Sequence, residues 1–212
     1  MPECVTYDSR DGGFGTAAPH EPFKEGKAVF IQTEETPNPA TLKFLPGCEV
    51  AGSTTADFSE PESAGRSPLA ERLFAIDGIT GVFLGADFVT VTKAEDKEWY
   101  LLKPAVLGII MEHFTAGRPV LLSDVAEAAE NVSEEDSEVV AQIKELLDTR
   151  VRPAVAQDGG DIVFQGFEGG VVFLHMQGAC AGCPSSTATL KMGIENMLRH
   201  YIPEVLEVRA VT

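Results

Sequence analysis

A run of acidic side chains, Glu127, Glu130, Glu134, Glu135, Asp136 and Glu138, divides this chain between two stretches that each alternate strand and helix patterns. Charge at this density is ordinarily a solvated joint or helix face. The 212 residues therefore resolve into two small units and not one large core. In the first unit a strand opens at Val29-Phe30-Ile31-Gln32, Thr36-Pro37-Asn38-Pro39 turns the chain, and Thr41-Leu42-Lys43-Phe44-Leu45 forms a second strand. Ser67-Pro68 starts a helix, Ser as its cap and Pro at the first helical position, with Leu69, Leu73 and Ile76 on the apolar face. Gly81–Gly85 and Phe88–Thr92, joined at Ala86-Asp87, have the pattern of a hairpin. Residues 98–116 then carry Leu102, Val106, Ile109, Ile110 and Phe114 at helical spacing.

The second unit opens with Ser133 as a helix cap and Asp136 three residues on, a variant of the capping box. Val139, Ile143, Leu146, Leu147 and Val151 form a buried stripe, and Pro153 bends or ends that helix. Asp158-Gly159-Gly160-Asp161 makes a turn into a hairpin, Ile162–Phe167 and Val171–Met176 around Glu168-Gly169-Gly170. A helix from Pro184 to about Tyr201 and a strand over Val205–Val211 complete the chain. The fold class expected is α+β, two small α+β domains joined by an acidic linker. Their extents are 29–117 and 134–212, with the linker over 118–133. Residues 1–28 read as a disordered or mis-assigned extension, rich in glycine and proline without apolar period.

The formal net charge is −17, from 33 acidic and 16 basic residues. Such a field repels phosphate backbones and no basic cluster interrupts it, which argues against a nucleic-acid partner. No stretch approaches the roughly 20 apolar residues of a membrane span, so no membrane partner is expected. The N-terminus lacks a secretory layout and carries Glu3, Asp8, Asp11, Glu21 and Glu25, unlike an acid-poor transit peptide. The expected location is the cytoplasm of a bacterium.

The four cysteines are Cys4, Cys48, Cys180 and Cys183. In a reducing compartment a close pair points to metal or redox chemistry and not to a structural disulfide. Cys180-Ala181-Gly182-Cys183-Pro184 places two sulfurs within reach of one metal, with small residues between them. Pro184 suits the first helical position, so Cys183 falls at a helix N-terminus, where unpaired N–H groups and the dipole favour thiolate. A cluster or a structural zinc takes four ligands, and this domain supplies two cysteines. Two chains about a two-fold axis, each donating one pair, complete the set. A strand–CxxC–helix order also describes a thioredoxin-like dithiol, but only 29 residues follow Cys183, too few for that fold's further strands. The dithiol redox protein stays the main rival at this point, and a zinc-bridged structural dimer stays open beside it.

The stretch from Asp158-Gly159-Gly160-Asp161 through Cys180-Ala181-Gly182-Cys183-Pro184-Ser185-Ser186 to Leu190-Lys191-Met192-Gly193-Ile194-Glu195 resembles the C-terminal domain of NifU-like proteins. Thr36-Pro37-Asn38-Pro39-Ala40-Thr41-Leu42-Lys43-Phe44, Ser67-Pro68-Leu69-Ala70 and Gly81-Val82-Phe83 resemble the N-terminal domain of Nfu proteins. The resemblance implies an iron–sulfur cluster scaffold or carrier and not an enzyme. It implies a 4Fe–4S cluster shared between the Cys180 and Cys183 pairs of a homodimer. Its implied partners are cluster-donating assembly proteins and apo iron–sulfur proteins as recipients. Bacterial members of this type begin at the position of Val29, so Val29 is an expected natural start.

Other residues read more plainly. Cys48 is an incidental thiol, Asp158 and Asp161 shape a turn, and His113 and His175 pack. Trp99 and Tyr100 are expected to be buried in the first domain. Thr36–Pro39 reads equally as a folded turn and as a docking surface.

Overall fold

A computed structural model of the chain describes residues 30–122, 138–181 and 184–211, with 184–186 described by backbone alone. The expected 1–28 extension, most of the acidic linker with its Ser133 cap, and Cys183 lie outside the described residues. The architecture is α+β.

Five strands build the first sheet: β1 (Gln32–Glu35), β2 (Thr41–Leu45), β3 (Ala56–Phe58), β4 (Ile79–Leu84) and β5 (Val89–Lys93). They pair antiparallel throughout in the order β1-β2-β5-β4-β3. Because side chains alternate along a strand, Leu42, Phe44, Val82, Leu84, Val89 and Val91 all face one side. That side is covered by α1 (Pro68–Phe74) through Leu69 and Leu73, and by α2 (Trp99–Thr115) through Leu102, Val106 and Ile110. Ser67 caps α1 as its type predicts, accepting the Ala70 N–H at 3.1 Å, and its own hydroxyl donates to the Val120 carbonyl at 2.7 Å.

The second domain runs α3 (Glu138–Leu146), a π-helical turn over Leu147–Val151, α4 (Arg152–Gln157), β6 (Gly160–Glu168), β7 (Val171–Gly178), α5 (Pro184–Tyr201) and β8 (Glu207–Val211). Its three-stranded sheet has the order β6-β7-β8. The β6–β7 pair is antiparallel, turned by Gly169 and Gly170 at φ +57° and +82°, the conformation that a two-residue hairpin demands. The β7–β8 pair is parallel and needs a long crossover, which α5 supplies. Ile143, Val155, Leu174, Leu198 and Val208 centre the core.

One expectation narrows, one stretch carries none, and one expectation changes. Pro153 does not end the helix: the π-helical turn widens the ring before it and α4 restarts at once, with Pro153 in its first turn, where no N–H is required. The three-residue β3 and a 3-10 helix over Pro61–Arg66 occupy a stretch that carries no periodic pattern long enough to read. Tyr100 is 74% exposed, since it falls on the helix face opposite Leu102, Val106 and Ile110; Trp99 is half-buried, edge-on to Phe44.

Candidate metal centre

The cysteine loop follows β7 directly. Gly178 turns the chain at φ +60°, and the loop is then stitched by its own backbone. Ala179 N–H donates to Gly159 O at 3.1 Å, Cys180 N–H to Gln177 O at 3.3 Å, and Ala181 N–H to Gly178 O at 3.1 Å. The Thr187 hydroxyl, from the first turn of α5, donates to Cys180 O at 3.0 Å. Cys180 is thereby held inward, 6% exposed, against the core of the second domain. Its sulfur lies over Gly160: a Cβ there would stand 2.5 Å from Sγ and 2.7 Å from Gln177 O. Gly160 is glycine because nothing larger fits beneath the sulfur. Burial, and then the charges of Asp158 and Asp161, push the Cys180 thiol up to about 12. In this arrangement burial favours the thiol over the thiolate that ligates metal. The helix-terminal argument concerned Cys183, which lies outside the described residues.

Asp161 has a structural task, but as the second residue of β6 and not as part of the turn expected of it. It is 4% exposed and accepts a two-pronged pair from Arg152, Nε to Oδ1 and Nη2 to Oδ2, both at 2.9 Å. Its Oδ1 also accepts the Ile162 N–H at 2.8 Å. Asp158 is exposed. His175 binds the Val211 carbonyl through Nδ1 at 3.2 Å, and Cys48 is half-buried. Among the described residues no three His, Cys, Asp or Glu side chains converge to hold a metal ion.

Residues of the first domain that sequence reading did not single out also reach this loop and the turn between α4 and β6 beside it. Thr90 Oγ1 donates to Gly159 O at 2.7 Å and Lys43 Nζ to Gln157 O at 3.1 Å. Thr55 Oγ1 donates to Asp161 Oδ2 at 3.1 Å, and Asp57 Oδ1 accepts the Gly178 N–H at 3.3 Å. The Thr36–Pro39 turn is folded on itself, Asn38 N–H to Thr36 Oγ1 at 3.2 Å and Ala40 N–H to Asn38 Oδ1 at 3.0 Å. The Asn38 amide, held this way, donates across to Ala181 O at 3.2 Å. The signal that could have found these contacts is the glycine pair. Gly159 has φ +84°, and a Cβ on it would stand 3.1 Å from Thr90 Oγ1 and 3.3 Å from Thr36 Cγ2.

Fold and loop together define a two-domain thiol protein in which the backbone beside a cysteine at a hairpin-to-helix junction is held by the first α+β domain. Comparison with known proteins gives the class its family. Residues 31–117 match the family model described as scaffold protein Nfu/NifU N terminal, and residues 143–209 match the NifU-like domain. The chain belongs to the Nfu/NifU scaffold protein family.

Among curated relatives, the mitochondrial NFU1 iron-sulfur cluster scaffold homolog of Drosophila erecta is 54% identical over 191 residues, which is 90% of this chain and 68% of that protein. The Homo sapiens protein of the same name is 55% identical over 184 residues, 86% of this chain and 72% of that one. The mitochondrial NifU-like protein 5 of Arabidopsis thaliana is 50% identical over 205 residues, 95% of this chain and 74% of that one. These relatives are mitochondrial by name, and they overturn the expectation of a bacterial cytoplasmic protein. The acidic N-terminal residues on which that expectation rested do not carry the compartment.

Proposed function

We propose that this chain carries an iron–sulfur cluster as cargo, held by Cys180 and Cys183 of two copies, and hands it to apo-proteins. The reading is supported by the scaffold names of relatives more than 50% identical to this chain, together with the motif Cys180-Ala181-Gly182-Cys183 at a hairpin-to-helix junction. One chain offers two thiolates from this motif, and a 4Fe–4S cluster takes four. A second copy about a two-fold axis supplies the other two.

Transfer is ligand exchange. Each incoming thiolate of a recipient displaces one cysteine sulfur on iron, and the leaving thiolate takes up a proton from solvent. Cluster-donating assembly proteins load the pair by the same exchange in reverse, and no catalytic residue is needed. Anaerobic reconstitution with iron and sulfide tests the reading. Broad visible absorption with a Mössbauer signature of a 4Fe–4S cluster, lost in Cys180→Ala and in Cys183→Ala, is the expected result. A colourless protein holding stoichiometric zinc, or one that only cycles a Cys180–Cys183 disulfide, contradicts it.

A further inference from the structure

Apart from the exposed edge strand β1, the first sheet is largely buried on both faces, although α1 and α2 cover only one. On the opposite face one row of side chains crosses four strands in register: Lys43 of β2 beside Thr90 of β5, Thr90 beside Phe83 of β4, and Phe83 beside Asp57 of β3. Every member of this row meets the second domain. Lys43 donates to Gln157 O, Thr90 to Gly159 O, and Asp57 accepts from Gly178 N–H. A Cβ on Gly178 would stand 2.9 Å from the Phe83 ring. Phe83 and Phe88 are 1% and 3% exposed and pack against each other at 5.9 Å between centroids, yet neither belongs to the core beneath the helices. Beyond the end of the row, Asn38 holds Ala181 O, the carbonyl next after Cys180.

The make-up of this surface matters as much as its position. It has one aromatic pair among Lys43, Thr55, Asp57, Thr90 and Asn38, all of which water solvates well. Interfaces between domains of one chain that open and close are polar in this way, whereas permanent ones resemble a core. The glycines opposite are the matching half. Gly159 and Gly178 let the turn and the loop lie flat against the sheet where any side chain would hold them off.

We propose that the first domain is a removable cap on the cysteine loop of its own chain, with the Lys43–Thr90–Phe83–Asp57 row and Asn38 as the docking surface. Docked, it pins the carbonyls of Gly159 and Ala181 and so reinforces the second domain's own bonds that keep Cys180 turned inward. Undocked, it frees the loop to present Cys180 to iron. The cap regulates the site proposed above and rests on that reading for its purpose, but docking itself can be measured without any cluster.

The test is alkylation of Cys180 by iodoacetamide in the full-length apo-protein under anaerobic conditions, followed peptide by peptide by mass spectrometry. Thr90→Arg drives a long side chain against Gly159, and Phe83→Ser removes the aromatic contact; both lie off the helix-covered core, and circular dichroism checks that the domains stay folded. Alkylation of Cys180 at least tenfold faster in both variants, with Cys48 unchanged, is the expected result. Rates within twofold of wild type in folded variants overturn the cap, as does acceleration of Cys48 to the same degree, which would report general loosening. Cluster uptake is followed separately by visible absorption. If no variant and no wild-type protein takes up a cluster while the alkylation contrast holds, the carrier reading fails and the cap stands. If wild type takes up a cluster and the alkylation rates do not differ, the cap fails alone.

Discussion

At the scale of single residues, the strongest local commitment is Asp161. Its carboxylate is buried and paired by both prongs of Arg152, so removing it leaves Arg152 only its longer pair with Asp148 and takes the acceptor from the Ile162 N–H and the Thr55 hydroxyl. Asp161→Ala should cost about 2 kcal/mol, below the full penalty for breaking a buried pair because Arg152 is half exposed. Urea titration of the purified protein reads that loss directly, and unchanged stability would refute the structural role. His113 is the opposite case. It is fully buried in α2 with neither ring nitrogen in a well-formed hydrogen bond, and burial, helped by the charges of Arg72 and Arg118 and opposed only by a weak contact with the Arg118 backbone, holds its pKa below the ordinary value. The folded state therefore keeps the ring neutral. The stability this gives is complete above the unfolded value of about 6.5 and is lost as pH falls through the lowered folded value. His113→Leu should melt no lower than wild type at neutral pH and should show a flatter fall in melting temperature on acidification. An equally steep fall would place the acid sensitivity elsewhere.

At the scale of elements, the β6–β7 hairpin and its glycines show what local pattern can and cannot carry. Thr41–Leu45 has the bounds its pattern implied, Ser67 caps its helix, and Pro184 opens α5, because each of those signals acts within a few residues of itself. The row on β2, β5, β4 and β3 was not legible. Alternation assigns Lys43, Thr90 and Asp57 to water, and only a partner distant in sequence reverses that assignment. Gly160 was legible as a turn residue but not as the floor beneath Cys180. Gly160→Ala should lower stability by about 1–3 kcal/mol, the usual cost of overpacking. Cys180→Ala should not rescue it, since Gln177 O and Cys180 N–H crowd the new methyl as well, at 2.7 and 2.9 Å. Thermal melts of the single and double variants decide the point, full rescue being the contrary result.

Asp57 adds a pH dependence to the same element. Burial raises its pKa, against the Gly178 N–H, His175 and Arg66, which lower it. A raised carboxylate favours the folded state when protonated. That contribution is present below the ordinary value of about 4 and is lost as pH rises through the raised one. Asp57→Asn, which keeps the acceptor oxygen and removes the charge, should therefore slow exchange of the Gly178 amide hydrogen at neutral pH, the difference shrinking toward acid. Faster exchange at neutral pH would show that the charge itself holds the loop.

On the scale of the whole molecule, two domains that each build a complete core meet through a polar surface at the turn between α4 and β6 and the cysteine loop beside it. The α+β class, the two-domain order and the family were all readable from motifs, because each is written in contiguous residues. The apposition of the domains was not, because it lives in Asn38, Lys43 and Thr90, whose partners lie more than 60 residues away. Nor does composition carry a location, as the mitochondrial names of the relatives show. The central claim is that one chain supplies half of a cluster's ligands. Native mass spectrometry of the anaerobically reconstituted protein weighs it most directly. The account predicts one four-iron, four-sulfide cluster per pair of chains, with clusterless protein running as single chains. A single chain carrying a whole cluster, or a loaded pair formed equally well from Cys180→Ala and Cys183→Ala protein, would contradict it.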